Sequence, residues 1–230
     1  MNWPAACAAV IPCLNEEATI RSVVTALRNH VDKVFVVDDG SSDQTAQTAT
    51  LAGAEVLRFT TTQGKGAALQ AGWKRVSESG FPWVLMLDGD GQHNPVDTPA
   101  FFKRADETSA SLIIGNRMGN SQDMPWLRRF VNRWLSHRIE KIAGFPVPDS
   151  QCGFRLMLLA GLARAAPDAL HFEIESEVLL QFLVSGLKVE FVPIQVIYKN
   201  EQSKIHPLQD TVRWFRWWRK AKKLKRRPVS

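Results

Sequence analysis

Cysteine is scarce in this chain. Cys7, Cys13 and Cys152 are an odd set of three without a Cys-x-x-Cys pair, which argues against a disulfide framework or a zinc site and favours a reducing compartment. Long apolar runs are missing too: no stretch approaches the roughly 18 residues of a membrane-crossing helix. The first residues, Met-Asn-Trp-Pro-Ala-Ala-Cys-Ala-Ala-Val-Ile, lack the basic lead-in of a secretory signal. The chain is therefore expected to be made and kept in the cytosol. No Gly-x-Gly-x-x-Gly follows the first strand-like segment, which removes a dinucleotide-dependent dehydrogenase from consideration. No internal repeat or low-complexity linker interrupts the chain.

What remains is ordinary globular material with one unusual end. The 230 residues are 45% hydrophobic, enough for a sizeable core. The net charge is +6, but Arg213 to Ser230 hold nine basic and no acidic residues. Subtracting those nine charges leaves residues 1–212 at −3. The basic character belongs to the tail, so an extended nucleic-acid surface on the body is not expected.

The first half alternates short β-branched runs with helical patterns. Strands are expected over Ala8–Ile11, Lys33–Val37, Glu55–Phe59, Trp83–Leu87 and Ser111–Ile114. Helices are expected over Glu16–Asn29, from a capping box at Ser41-Ser42-Asp43-Gln44 to Gly53, over Lys65–Glu78 and over Val96–Thr108. This alternation predicts an α/β fold with a mostly parallel central sheet flanked by helices. The second half is less regular. Trp126–Ala143 reads as a basic helix, Phe172–Val184 as a helix opening with Glu173, Glu175 and Glu177, and Lys188–Tyr198 as a strand.

Polar motifs follow the strands, where open parallel sheets bind ligands. They are Pro12-Cys13-Leu14-Asn15-Glu16, Asp38-Asp39-Gly40-Ser41-Ser42, Asp88-Gly89-Asp90 and Gly115-Asn116-Arg117. Asp88 and Asp90 stand one residue apart at a strand exit, a costly pairing unless a cation neutralises them. Mg²⁺ and Mn²⁺ take oxygen ligands of this kind and are commonly shared with substrate phosphates.

These motifs, with Gly64-Lys65-Gly66, Gln92-His93-x-Pro95, Asp149-Ser150-Gln151-Cys152-Gly153-Phe154-Arg155, Phe172-Glu173-x-Glu175 and Ser203-Lys204, run in the order found in the inverting family 2 glycosyltransferases of GT-A type. The chain most resembles the branch that transfers sugar to dolichyl or polyprenyl phosphate. The resemblance implies a Rossmann-like nucleotide-binding half and a catalytic domain over residues 1–205, followed by a basic, Trp-rich helix over 206–230. It implies that Asp38 and Asp39 contact the base and ribose of a UDP- or GDP-sugar, with Pro12, Leu14, Asn15, Glu16, Lys65, Asp88 and Gly89 in the same pocket. Asp88, Asp90 and Gln92 would hold Mg²⁺ or Mn²⁺ on the diphosphate. Arg117, Arg128 and Lys204 would meet the phosphates, as planar or point cations suited to that task. His93 is expected to be structural and Cys152 a buried small side chain.

A lipid phosphate acceptor is already ionised and needs no general base; a hydroxyl acceptor does, and Asp149 is the candidate. The leading expectation is transfer to a polyprenyl phosphate. A same-fold transferase acting on a polysaccharide, glycolipid or small hydroxyl compound is the alternative, and a non-catalytic, membrane-associated nucleotide-binding module is a third reading. Residues 211–227 place aromatics and cations around a helix, the composition of an interfacial segment on anionic lipid; a helix packed on the body by its tryptophans fits the same residues. With no spanning helix, the protein is expected to sit peripherally on the cytoplasmic face of a membrane, to recruit a membrane partner, or to use a soluble acceptor.

Overall fold

A computed structural model describes residues 1–120, 124–197 and 207–223. Seven strands form one sheet: β1 (Cys7–Cys13), β2 (Lys33–Asp38), β3 (Glu55–Arg58), β4 (Trp83–Met86), β5 (Leu112–Asn116), β6 (Arg155–Leu158) and β7 (Val189–Pro193). Their order across the sheet is β3-β2-β1-β4-β6-β5-β7. β1 pairs in parallel with β2 and β4, β2 with β3, and β5 with β7; β6 alone runs antiparallel, between β4 and β5. The nine α-helices among the described residues are α1 (Trp3–Ala6), α2 (Ile20–Leu27), α3 (Thr45–Leu51), α4 (Lys65–Glu78), α5 (Thr98–Thr108), α6 (Trp126–Ala143), α7 (Leu159–Ala165), α8 (Ile174–Val184) and α9 (Pro207–Ala221).

The central strands are apolar on both faces because helices cover both. All four residues of β4 are buried, and so are Val34 to Val37 of β2. Helices close on the sheet through small residues: a Cβ at Gly72 of α4 would lie 2.4 Å from Val10 of β1. Trp3 stacks on Phe102 with ring centroids 4.7 Å apart, fastening the N-terminal turn to α5.

The antiparallel β6 decides where the site lies. Its first residue, Arg155, pairs with Met86 near the exit of β4 and with Ile114 near the exit of β5. A strand entering the sheet from that edge brings the segment before it, residues 149–154, onto the carboxyl rim of its neighbours. A parallel strand would have left that segment at the opposite end.

Several expectations change, among them the strand expected over Lys188–Tyr198, which is described only over Val189–Pro193 with an isolated bridge at Val196. The segment Glu16–Asn29 is helical only from Ile20, because Asn15 takes a left-handed conformation (φ 53°) and residues 15–17 are latched to the next loop. The capping box does not form either: α3 starts at Thr45 with no side-chain bond from its cap, Gln44. Asp43 accepts the Thr45 amide at 3.0 Å, and the Gln44 amide donates to Glu17 at 2.9 Å, so the helix start is tied across the loops instead.

Candidate active site

The first wall of the site is made of loops held by carboxylates on backbone amides. Cys13, Asp38 and Arg58 lie in register at the ends of β1, β2 and β3. Asp38 is fully buried; one oxygen accepts the Ser41 amide at 2.9 Å and the other lies 3.2 Å from Arg58 Nε. Asp39 accepts the amides of Gln63 at 2.7 Å and Gly64 at 2.9 Å. Both aspartates were expected at the base and ribose. In this geometry their carboxylates shape the turns, and Asp38 offers no exposed surface. Across from them, the amides of Asn15 and Glu16 donate to Ser41 Oγ (2.9 Å) and Thr45 Oγ1 (2.7 Å), while Asn15 Oδ1 accepts the Ser42 amide (2.9 Å). The loop carrying Pro12, Leu14, Asn15 and Glu16 is thereby fixed against the one carrying Asp38 and Asp39, with those four residues half-buried or exposed.

The centre is a cluster of charges after β4. Lys65, the first residue of α4, places Nζ 2.6 Å from Asp88 Oδ1 and 2.6 Å from Glu175 Oε1 of α8. Burial works against the Lys65 charge, but the two carboxylates outweigh it and hold the ammonium firmly protonated. Burial likewise opposes ionisation of Asp88, and Lys65, helped by the charge of Arg117, overcomes it and keeps that carboxyl below its usual value. Among the described residues Asp90 has no ion-pair partner, and the more distant Lys65 offsets only part of what opposes its charge. Burial, and then the charge of Asp88, push it up to about 6. His93 is buried with Nε2 3.8 Å from Asp88 Oδ2; burial lowers it to about 4, so it is neutral.

This donor set fits a divalent ion. Two carboxylates crowd each other enough to raise one of them, a strain that a cation relieves. Among the described residues no group of three His, Cys, Asp or Glu side chains could enclose an ion. An open pair is what an ion shared with substrate phosphates requires. The surroundings are tightly shaped: a Cβ at Gly89 would meet Cys13 Sγ at 2.6 Å, and one at Gly153 would meet Asp88 Oδ2 at 2.5 Å. Gln92, the third expected ligand, is half-buried; its amide donates to Asp90 Oδ1 at 2.9 Å and its carbonyl accepts the Ile197 amide at 2.9 Å.

The far wall comes from the segment before β6. Asp149 is fully buried and forms a two-pronged pair with Arg117, Nε to Oδ2 at 2.8 Å and Nη2 to Oδ1 at 2.9 Å. Its oxygens also accept the Arg117 amide, Asn132 Nδ2 of α6 and the Gln151 amide. Burial opposes its charge, but Arg117 and these donors hold the carboxyl below its usual value. Ser136, one turn after Asn132, bonds Ser150 through both hydroxyl and amide at 3.0 Å. Arg155 is fully buried and donates to the carbonyls of Cys152, Glu175 and Ser150, locking the motif as a loop. Burial pushes the Cys152 thiol up to about 12, which makes it an inert filler.

Arg128 does not join this group; it is exposed on the first turn of α6. Lys204 lies outside the described residues. Three contributors escape a reading of spacing alone. Glu175 is 110 residues from Lys65. Asn132 and Ser136 were readable only as polar residues on the buried line of α6, which Ile139 and Ala143 continue.

A family profile described as "Glycosyl transferase family 2" matches residues 8–163. The UDP-N-acetylglucosamine–dolichyl-phosphate N-acetylglucosaminyltransferase of Methanococcus voltae is 29% identical over 82% of this chain and 84% of its own length. The undecaprenyl-phosphate mannosyltransferase of Micrococcus luteus is 31% identical over 64% of this chain and 63% of its own. Among solved structures, glucosyl-3-phosphoglycerate synthase of Mycobacterium tuberculosis, in complex with Mn²⁺, UDP and phosphoglyceric acid, superposes with a TM-score of 0.71 at 21% identity. That alignment covers 98% of this chain and 80% of the synthase, a likeness of fold.

Proposed function

This chain belongs to glycosyl transferase family 2, and from that premise we propose that it moves a sugar from a nucleoside-diphosphate sugar to a polyprenyl phosphate, with inversion at the anomeric carbon. The observation that carries the choice of acceptor is the commitment of Asp149. A hydroxyl acceptor needs a base to take its proton. Asp149, the candidate for that task, is buried, holds Arg117 through both oxygens and accepts three further donors. A phosphate acceptor has no proton to lose. Its oxygen attacks the anomeric carbon, the bond from that carbon to the donor's β-phosphate oxygen breaks, and the nucleoside diphosphate leaves with the electron pair. The names of the dolichyl- and undecaprenyl-phosphate relatives support the same acceptor class.

The obstacle to this reaction is repulsion between two phosphate groups, and the site answers it with fixed charge. Arg117 is set by Asp149 before substrate arrives, so no reorganisation is needed during transfer. Lys65 neutralises Asp88 from the first residue of α4. Asp90, with Asp88 and Gln92, would hold Mg²⁺ or Mn²⁺; when bound, such an ion supplies Lewis-acid stabilisation of the leaving diphosphate. The Mn²⁺ and UDP bound by the synthase of the same fold support that pairing. Arg128 and Lys204 are proposed to meet the acceptor phosphate, and the polyprenyl chain would bring the reaction to a membrane surface.

The test offers the full chain UDP- and GDP-sugars with Mn²⁺ or Mg²⁺ and compares a short polyprenyl phosphate with the matching polyprenol. Transfer to the phosphate alone is expected. Comparable transfer to the alcohol, or to a soluble sugar hydroxyl only, would sink the acceptor assignment. Asp90→Ala is expected to abolish turnover while leaving the fold intact, because its side chain makes one local bond to the Gln92 amide.

A further inference from the structure

Three tryptophans of α9 face inward. Trp214, Trp217 and Trp218 are 6%, 9% and 4% exposed, and Trp214 Nε1 donates to Ser176 Oγ of α8 at 3.2 Å. These three tryptophans are therefore packed on the body and are not free to enter a bilayer, while Phe215 of the same helix stays exposed. The most exposed aromatics lie elsewhere. On α6, Trp126 is 73% exposed, Phe130 62% and Leu127 56%, with Val131 also exposed.

These residues share one side of α6. At 3.6 residues per turn, Trp126, Leu127, Phe130, Val131 and Trp134 fall on the half opposite the buried line Asn132, Ser136, Ile139 and Ala143. The same side continues toward the C-terminus as a cationic groove. The groove has a volume of about 520 Å³ and lies between α6 and α9, lined by Trp134, Arg138 and Lys141 of the first and Trp218 and Lys222 of the second. Arg138 stacks 4.3 Å from the Trp134 ring centroid and Lys222 lies 6.0 Å from that of Trp218. Among the described residues none of the three cations has a carboxylate partner, and no acid lines the groove. Trp134 also meets Phe215 of α9 at 5.8 Å, so the second helix extends the same face through the exposed Phe215 and Val212.

We infer that this face of α6, with the α6–α9 groove, docks the protein on an anionic phospholipid bilayer: the apolar first half enters the headgroup–acyl boundary and the groove holds lipid phosphates. The occupant follows from charge and shape. Aromatics on the exposed side of one helix, continued by cations that have no carboxylate partner among the described residues, match two depths of one bilayer leaflet. An apolar patch of this kind on a soluble domain marks a contact surface, and the cations require that the partner be anionic. The buried side of the same helix carries Asn132, which donates to Asp149 at 2.9 Å. One helix thus rests on lipid and orients the Arg117 pair about 10 Å away across its diameter.

The test uses the full chain and vesicles that contain neither nucleotide sugar nor polyprenyl phosphate, so its outcome is independent of the acceptor assignment. Co-sedimentation with phosphatidylcholine vesicles is compared with phosphatidylcholine–phosphatidylglycerol vesicles. The wild type is expected to prefer the anionic vesicles. Arg138→Gln/Lys141→Gln should weaken that binding about 25-fold, about 5-fold for each cation near an anionic surface. Trp126→Ser/Phe130→Ser should weaken binding to both vesicle types. The substituted side chains are half-buried or exposed, and unchanged thermal melting verifies the fold. Wild-type partitioning by either double variant overturns the inference. Displacement of bound protein by inorganic phosphate beyond that by sodium chloride of equal ionic strength also overturns it, since the groove would then hold a free anion.

Discussion

The two walls of the site hold carboxylates still with a different balance of partners: the first leans on backbone amides, with Arg58 beside Asp38, and the second on side-chain cations, with two backbone amides beside Asp149. On the β1–β2–β3 side, Asp38, Asp39 and Asp43 accept backbone amides of the adjoining loops. On the β4–β6–β5 side, Asp88, Glu175 and Asp149 are held by the side-chain cations Lys65 and Arg117. A carboxylate on backbone amides defines a loop shape that cannot rearrange without moving the chain. A carboxylate on a lysine or arginine is a pair whose members respond to any third charge that arrives. The first wall is suited to a constant shape, and the second to a reaction in which phosphates enter and leave.

Asp149→Asn should break the second wall most. It leaves the Arg117 guanidinium buried without a charge partner, and removal of one member of a buried pair costs about 3–5 kcal/mol. Denaturant unfolding at neutral pH is the measurement. Because the folded carboxyl is held below its unfolded value, the stability it contributes is present above the unfolded value and lost as pH falls through the folded one. The deficit of the variant should therefore shrink in acid. Turnover should fall together with stability, and the pH dependence of the residual rate should match that of the wild type; loss of one limb of the pH profile would restore Asp149 as a base.

Asp39→Asn tests the first wall and should cost less, about 1.5 kcal/mol. The amide oxygen can keep one of the two backbone donors, and one charge-assisted bond is lost. A loss as large as that of Asp149→Asn would erase the distinction between the walls.

The same division governs what could be read from the chain. Helix α4 spans Lys65–Glu78 as its pattern predicts, and the first four strands lie where their β-branched runs place them. Local pattern suffices there because each element follows its neighbour in a βα alternation. The second half depends on contacts that no local pattern carries. Nothing in Arg155-Leu156-Met157-Leu158 says that it enters the sheet antiparallel between β4 and β5. The pairing of Lys65 with Glu175 joins residues that are neighbours only after that insertion. The tryptophans of α9 were compatible with lipid or with the core, and the body's apolar surface decided the matter. The motifs announced which residues gather at the rim; they did not announce that Asp38, Asp39 and Asp149 would be occupied in holding it.

The smallest expected effect has the opposite sign and isolates Asp90. Its folded carboxyl is raised to about 6 by burial and by Asp88, above the ordinary aspartate value. Between roughly pH 4 and 6 the folded protein therefore keeps a proton that the unfolded chain has released, and stability falls as pH rises through that window. In the presence of a chelator, Asp90→Asn removes this penalty. The variant should be more stable than the wild type at pH 7, by on the order of 1 kcal/mol after solvent screening, and equal to it near pH 3.5. Added Mn²⁺ should stabilise the wild type and not the variant, because an ion that binds only the folded state shifts its equilibrium by mass action. A wild type more stable than Asp90→Asn in the chelator would mean that Asp90 already has a cation of its own, and the unbalanced pair on the second wall would be balanced after all.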